Sequence, residues 1–149
     1  MSMIARFAAY AAAFEKAFES DDWSEVESYF QEDAVYAAGG DPFPTEVVGR
    51  AAIITYFRTV LDAFDRRFAH RTLKLLEGPR ETSSSVWIRG SAAYDAPGVP
   101  DIEFELEEEI TFDGDMISRL EDRYDADTLE RLRAYIAAHG ETLGLSPVI

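Results

Sequence analysis

The chain has 149 residues, 47% of them hydrophobic and 13% aromatic, which is enough to fill the core of one domain and too apolar for a disordered or fibrous chain. Its 29 acidic against 14 basic residues give a formal net charge of −15, so the surface repels phosphate backbones and anionic membranes, and no nucleic-acid or membrane partner is expected. The absence of cysteine removes thiol catalysis, disulfides and cysteine-ligated metals together.

No apolar run reaches membrane-spanning length, and the N-terminus enters an amphipathic pattern without the long apolar stretch of a signal peptide, so the expected location is cytoplasmic. From Ile4 to Glu19, the residues Phe7, Tyr10, Ala11, Phe14 and Phe18 recur at helical spacing opposite Arg6, Glu15, Lys16 and Glu19, predicting an amphipathic helix with an aromatic stripe. Asp22, with Glu25 three residues on, caps a short second helix that carries Trp23, Val26, Tyr29 and Phe30. Asp33 to Ala38 reads as a strand, and Gly39 to Pro44 as irregular chain. A third helix starts near Arg50, with Ile53, Tyr56, Phe57, Val60, Leu61 and Phe64 facing inward.

Four strands follow, Ala69 to Glu77, Ser85 to Tyr94, Ile102 to Phe112 and Met116 to Tyr124, with Asp113-Gly114 as a tight hairpin turn. A last helix begins near Asp127, presents Leu129, Leu132 and Ile136, and stops at His139-Gly140. Helices gathered first and hairpins after them predict a single α+β domain over residues 1–149. Its curved antiparallel sheet packs on three N-terminal helices, with a C-terminal helix added.

Strand residues alternate between faces, so a polar residue within the apolar set needs a reason. Glu108 shares a side with Ile102, Phe104, Leu106, Ile110 and Phe112, whereas Glu103, Glu105, Glu107 and Glu109 point to the solvated side. In the last strand Met116, Ser118, Leu120, Asp122 and Tyr124 share a side, and Asp122 repeats the anomaly. Burying either acid without a partner is costly or raises its pKa, and a guanidinium can hold two carboxylates through its forked donors. Arg89, whose face the pattern leaves open, is therefore the expected bridge. Two readings stand: a structural ion network at a strand crossing, or a general acid and base in an apolar cavity.

Tyr36 is either a hydroxyl donor in that cavity or a core residue. The candidate substrate-binding wall takes Tyr10, Phe14 and Phe57 from the helices and Trp87, Leu106, Leu120 and Tyr124 from the strands. His70, near a strand start, is a further candidate. With two distant histidines and no clustered ligand spacing, no metal site or other cofactor is expected. There is no phosphate-cradling glycine loop and no GxSxG elbow.

The order of elements, with WSEVESYFQEDAVY from Trp23 to Tyr36 and then Val48-Gly49-Arg50 opening a helix before long hairpins, resembles the SnoaL-like branch of the nuclear transport factor 2-like superfamily. That resemblance implies a cone-shaped fold and covers nearly the whole chain. Tyr29-Phe30-Gln31-Glu32-Asp33, Tyr36, Gly49-Arg50 and ISRLEDRYD from Ile117 to Asp125 are similar to limonene epoxide hydrolase. It implies Asp122 as water-activating aspartate, Arg89 as bridging arginine and Tyr36 as the tyrosine that positions water. Ala38 stands where that family places a water-binding asparagine, and Ser91 where it places the acid that protonates the epoxide. Glu108 lies near the position where ketosteroid isomerases keep a protonated carboxylic acid, and would replace the missing acid.

The expected function is therefore a cofactor-independent enzyme acting on a small apolar molecule, with Asp122 as base, Arg89 orienting it and Glu108 as acid. A non-catalytic ligand-binding or dimerisation domain of the same fold is the alternative. A homodimer is expected, with a polar, salt-sensitive interface because the outer sheet face carries a run of glutamates opposite few cations.

Overall fold

The computed structural model describes residues 1–39, 42–43 and 46–145. Helix α1 (Met3–Ser20) starts where the Ser2 Oγ accepts from the Ala5 backbone N–H at 3.1 Å, and buries Tyr10, Ala13 and Ala17. A short α2 (Ser24–Ser28) follows, with Asp22 accepting from the Ser24 backbone and hydroxyl just before it. Strand β1 (Phe30–Ala38) and the three-residue β2 (Glu46–Val48) lead into α3 (Arg50–Ala63), whose first turn is entered through Gly49 at φ 98°, a conformation that favours glycine. A 3-10 turn (Asp65–Arg67) connects α3 to β3 (His70–Glu81), β4 (Ser85–Asp95), β5 (Ile102–Asp113) and β6 (Met116–Arg123), and α4 (Ala126–Leu143) closes the order.

The six strands form one curved sheet in the order β2-β1-β6-β5-β4-β3. The meander from β3 to β6 and the β1–β2 pair are antiparallel, but β1 joins β6 in parallel, with Tyr36 opposite Leu120 and Ala38 opposite Asp122. The sheet is therefore mixed, not antiparallel throughout. The parallel pair joins residues more than 80 positions apart, and local hairpin patterning carries no signal for it.

Two further expectations are corrected. The last helix runs through His139-Gly140 and ends instead at Gly144, at φ 71°. Gly140 is a packing position, where a Cβ would lie 3.4 Å from Ile136 and 3.6 Å from Leu145. In β6 the alternation breaks, because the register moves by an extra residue between Thr111 opposite Arg119 and Phe112 opposite Ile117. This bulge at Ser118 turns Ile117 inward, so that Ile117 and Leu120, rather than Met116 and Ser118, join Asp122 on the concave side. Of the Gly39 to Pro44 stretch, Gly40, Asp41 and Pro44 lie outside the described residues.

The core has two parts. Tyr10, Phe30, Ile53, Phe57, Ile110 and Ile117 pack α1 and α3 on the sheet, and Phe64, Phe68, Tyr94, Phe104, Leu132 and Ile136 pack α4 against its far end. The convex face is a charge ladder: Arg89, Arg119 and Arg123 interleave with Glu46, Glu77, Glu105, Glu107, Glu109 and Glu121. The outward glutamates thus face more cations than their own strand suggests.

Candidate active site

Between the concave sheet face and the helices lies a cavity of about 430 Å³. Phe7, Tyr10 and Phe14 enter it from α1, Tyr56 and Phe57 from α3, Leu132 and Ile136 from α4, and Phe104, Leu106 and Leu120 from the sheet. Its edge at β3 is formed by Leu73 and Leu75, which remain 49% and 57% exposed and so mark the side open to solvent.

The floor is one transverse row. Ala38 on β1, Asp122 on β6, Glu108 on β5 and Ile88 on β4 are successive cross-strand partners, so their side chains leave the same face of the sheet. Directly opposed residues in an antiparallel pair have Cβ atoms about 4.5–5.5 Å apart, which brings the Glu108 and Asp122 carboxyls into contact. Tyr36, two residues before Ala38 on the same face, donates its hydroxyl to Asp122 Oδ2 at 2.7 Å. Asp122 Oδ1 is buried and accepts from no N–H or hydroxyl among the described residues. Its natural donor is the carboxyl across the ladder: with a proton on Glu108, Oδ1 accepts from it, and without one two anions face each other in an apolar cavity.

Burial raises both acids, and the causes divide their roles. Glu108 is pushed well up, first by loss of solvent, then by the Asp122 charge and by the hydrogen bond it donates to Asp122. Asp122 is pushed up by burial, but the hydrogen bonds it receives from Glu108 and Tyr36 pull the other way. The hydrogen bonds that Asp122 receives favour its charged form, and burial beside that charge favours the proton on Glu108. Both residues keep some accessible surface, and that surface faces the cavity rather than bulk water. Burial, with the Asp122 charge added, also holds the hydroxyls of Tyr10, Tyr36 and Tyr124 well above the usual phenol range, so all three stay neutral.

Of the residues singled out in the sequence, Tyr36, Glu108 and Asp122 meet in the floor, and Tyr10, Phe14, Phe57, Leu106, Leu120 and Tyr124 line the cavity. Arg89 does not bridge the acids. Its register partner is Glu107, on the outward set, and its guanidinium binds Glu105 at 3.1 Å and Glu77 at 3.8 Å on the convex face. Trp87, opposite Glu109, points the same way and lies under Arg80 at 4.7 Å. His70 is exposed, its Nδ1 2.6 Å from Asp95 Oδ1. Each acid instead faces the other carboxyl across the ladder.

The sequence reading missed a second polar cluster at the cavity wall. Arg71 binds Asp65 through Nε and Glu15 through Nη1, both at 2.8 Å, with its guanidinium 4.5 Å from the centre of the Phe18 ring. The Tyr94 hydroxyl donates to Asp65 Oδ2 at 2.9 Å. Alternation on β3 holds the missed signal, since Arg71, Leu73 and Leu75 fall in one set.

A curved, open six-stranded sheet wrapped round an apolar cavity, with helices closing the concave side, defines the cone-shaped, nuclear transport factor 2-like class of α+β protein. The profile of the SnoaL-like domain matches residues 10–97, and the chain belongs to that family. The match spans Tyr36, Asp65 and Arg71 and ends before Glu108 and Asp122, whose placement rests on strand register. No protein of curated function matches the chain.

Solved structures share the fold at low identity. A nuclear transport factor 2-like protein from Anabaena variabilis has a TM-score of 0.67 at 12% identity, over 84% of this chain and 90% of that one. TerC, co-crystallised with polyporic acid, has 0.65 at 15%, over 85% and 97%. A nuclear transport factor 2-like protein of unknown function from Burkholderia pseudomallei has 0.65 at 18%, over 89% and 98%.

Proposed function

We propose that the cavity is the active site of a cofactor-independent enzyme that transforms a small, mostly apolar substrate by general acid-base catalysis. The observation that carries this reading is the cross-strand pair of Glu108 and Asp122, with Tyr36 on one oxygen of Asp122 and the other oxygen unclaimed by any N–H or hydroxyl among the described residues. A buried carboxylate with raised pKa is a stronger base than one in water, and its protonated neighbour is an acid poised for the same turnover. Asp122 takes a proton from carbon or from water, Glu108 gives one to the substrate oxygen on which charge develops, and Tyr36 holds Asp122 in place. Isomerisation, cyclisation, dehydration and epoxide opening all fit this pair of proton transfers.

A turnover screen over epoxides, enones and polyketide-like aromatics, with Asp122→Asn as the control, tests the proposal. Turnover that survives unchanged in the variant rejects the mechanism. The second reading, a ligand-binding domain of the same fold, is favoured by Ala38, which places only a methyl group in the floor beside Asp122, so that no side chain there holds a water. Saturable binding without turnover anywhere in the screen is its expected result.

A further inference from the structure

The floor accounts for one polar pole of the cavity, and the Arg71 cluster forms another. Arg71 pairs with Tyr94 across β3 and β4, and Tyr94 lies six residues along β4 from Ile88, the strand partner of Glu108. At about 3.3 Å per residue that is ~20 Å of strand. The wall between the two poles is aromatic: Phe43 stacks on Tyr124 at 4.7 Å, and Phe104 lies 6.1 Å from Tyr124 and 5.8 Å from Tyr94.

The side chains of Arg71 and Asp65 are each only 11% exposed, and both line the cavity. Nε and Nη1 of Arg71 are engaged, the Tyr94 hydroxyl donates to Asp65, and the guanidinium also lies against that hydroxyl. Nη2 makes no hydrogen bond within 3.5 Å to any described residue, which leaves a rigidly held, largely enclosed cation with N–H groups to spare. Two carboxylates and the Phe18 ring fix the guanidinium, so a ligand that binds Nη2 does not have to order it.

Charge selects the ligand. Arg71 is paired with two carboxylates, Glu15 and Asp65, so this end of the cavity offers an anion no net positive charge. An anionic group placed on Nη2 would meet both carboxylates at close range, whereas a neutral oxygen acceptor gains a charge-assisted hydrogen bond without that repulsion.

We propose that Arg71 is a specificity-determining residue whose Nη2 binds a neutral carbonyl oxygen at the end of the substrate remote from Glu108 and Asp122. The substrate is thus an elongated, uncharged, aromatic or polyenic molecule with a ketone-type oxygen at its far end. This rests on the cavity being the substrate site proposed above, but it concerns binding alone and is read without turnover.

The test uses 4-acetylbiphenyl, its hydrocarbon analogue 4-ethylbiphenyl and the anion biphenyl-4-carboxylate, with dissociation constants from calorimetry on the full chain. The ketone is expected to bind about tenfold tighter than the hydrocarbon, as one hydrogen bond to a charged donor implies, and tighter than the carboxylate. In Arg71→Met the ketone preference falls to about one while the hydrocarbon affinity is kept. Because Arg71→Met strands a buried Asp65, Asp65→Asn with Arg71→Met in one chain supplies a charge-matched variant with the same expected result. In the unmodified protein, nuclear Overhauser contacts are expected from the acetyl methyl to the rings of Phe64 and Tyr94.

Equal binding of ketone and hydrocarbon, a preference that survives without Arg71, or contacts from the acetyl group to Tyr36 instead would overturn the proposal. Asp122-dependent turnover without a ketone preference rejects this inference alone. A ketone preference without turnover supports it and rejects the acid-base reading.

Discussion

Glu108 and Asp122 face each other across the β5–β6 ladder, each drawn from an otherwise apolar set of side chains. Two carboxylates in such a place cannot both ionise at low cost, so the pair keeps one proton, and that proton is what gives the floor of the cavity an acid and a base side by side.

Replacing the proton holder is expected to stabilise the fold in a pH-dependent way. An acid whose pKa is higher in the folded than in the unfolded state binds its proton more firmly when folded. Its contribution is therefore most favourable at low pH and is lost as pH rises from the unfolded value, about 4.3 for Glu, toward the folded one. Glu108→Gln removes that loss while its amide still donates to Asp122. The difference in Tm between variant and parent is expected to be near zero at pH 4 and to widen steadily in the variant's favour as pH rises to 8. A difference that does not change with pH contradicts the raised pKa.

Tyr36→Phe deletes the donor on Asp122 Oδ2. Loss of a hydrogen bond to a charged acceptor costs about 1.5–3 kcal/mol, and the Asp122 pKa rises further because a pull toward the ionised form is gone. With any substrate that the enzyme turns over, the acidic limb of the pH–rate profile is expected to move to higher pH, with kcat reduced roughly tenfold at neutral pH. A unchanged limb with lower stability would leave Tyr36 a packing residue.

Arg89→Gln tests the corrected placement. Its two ion pairs are on the convex face and partly exposed, where such pairs contribute ~0–1 kcal/mol. Turnover within about twofold of the parent and a Tm change under about 3 °C are expected. A hundredfold loss would return the arginine to the catalytic machinery.

Asp122→Asn is expected to lower kcat by about 10²–10⁴-fold, the usual contribution of a positioned base, while leaving substrate affinity within a few-fold. The comparison of kcat with KM separates this from a change in cavity shape, which moves both.

The anomalies at Glu108 and Asp122 were legible because a strand has a period of two and an acid in an apolar set is conspicuous. Arg89 was not, because Trp87, Arg89 and Ser91 compete with Val86, Ile88 and Gly90 without a clear apolar majority, and only the pairing with Glu107 decides its face. The mixed sheet and the bulge at Ser118 are products of long-range pairing, which local patterning does not carry. Alternation marks Arg71 through its set with Leu73 and Leu75, but its partner Asp65 lies across a turn, where no strand or helix spacing connects the two.

The claim that one proton is shared in the cavity floor is tested most directly by carboxyl ¹³C NMR of the full chain across a pH titration, with Asp122→Asn as the reference. The Glu108 side-chain carbon is expected to keep the shift of a protonated acid to higher pH than that of Asp122, with both titrating above the ordinary carboxylate range, and the Glu108 titration is expected to fall in the variant, where the opposing charge is gone. Glu108 and Asp122 titrating independently in the ordinary range near pH 4 would contradict the shared proton, and with it the acid-base pair.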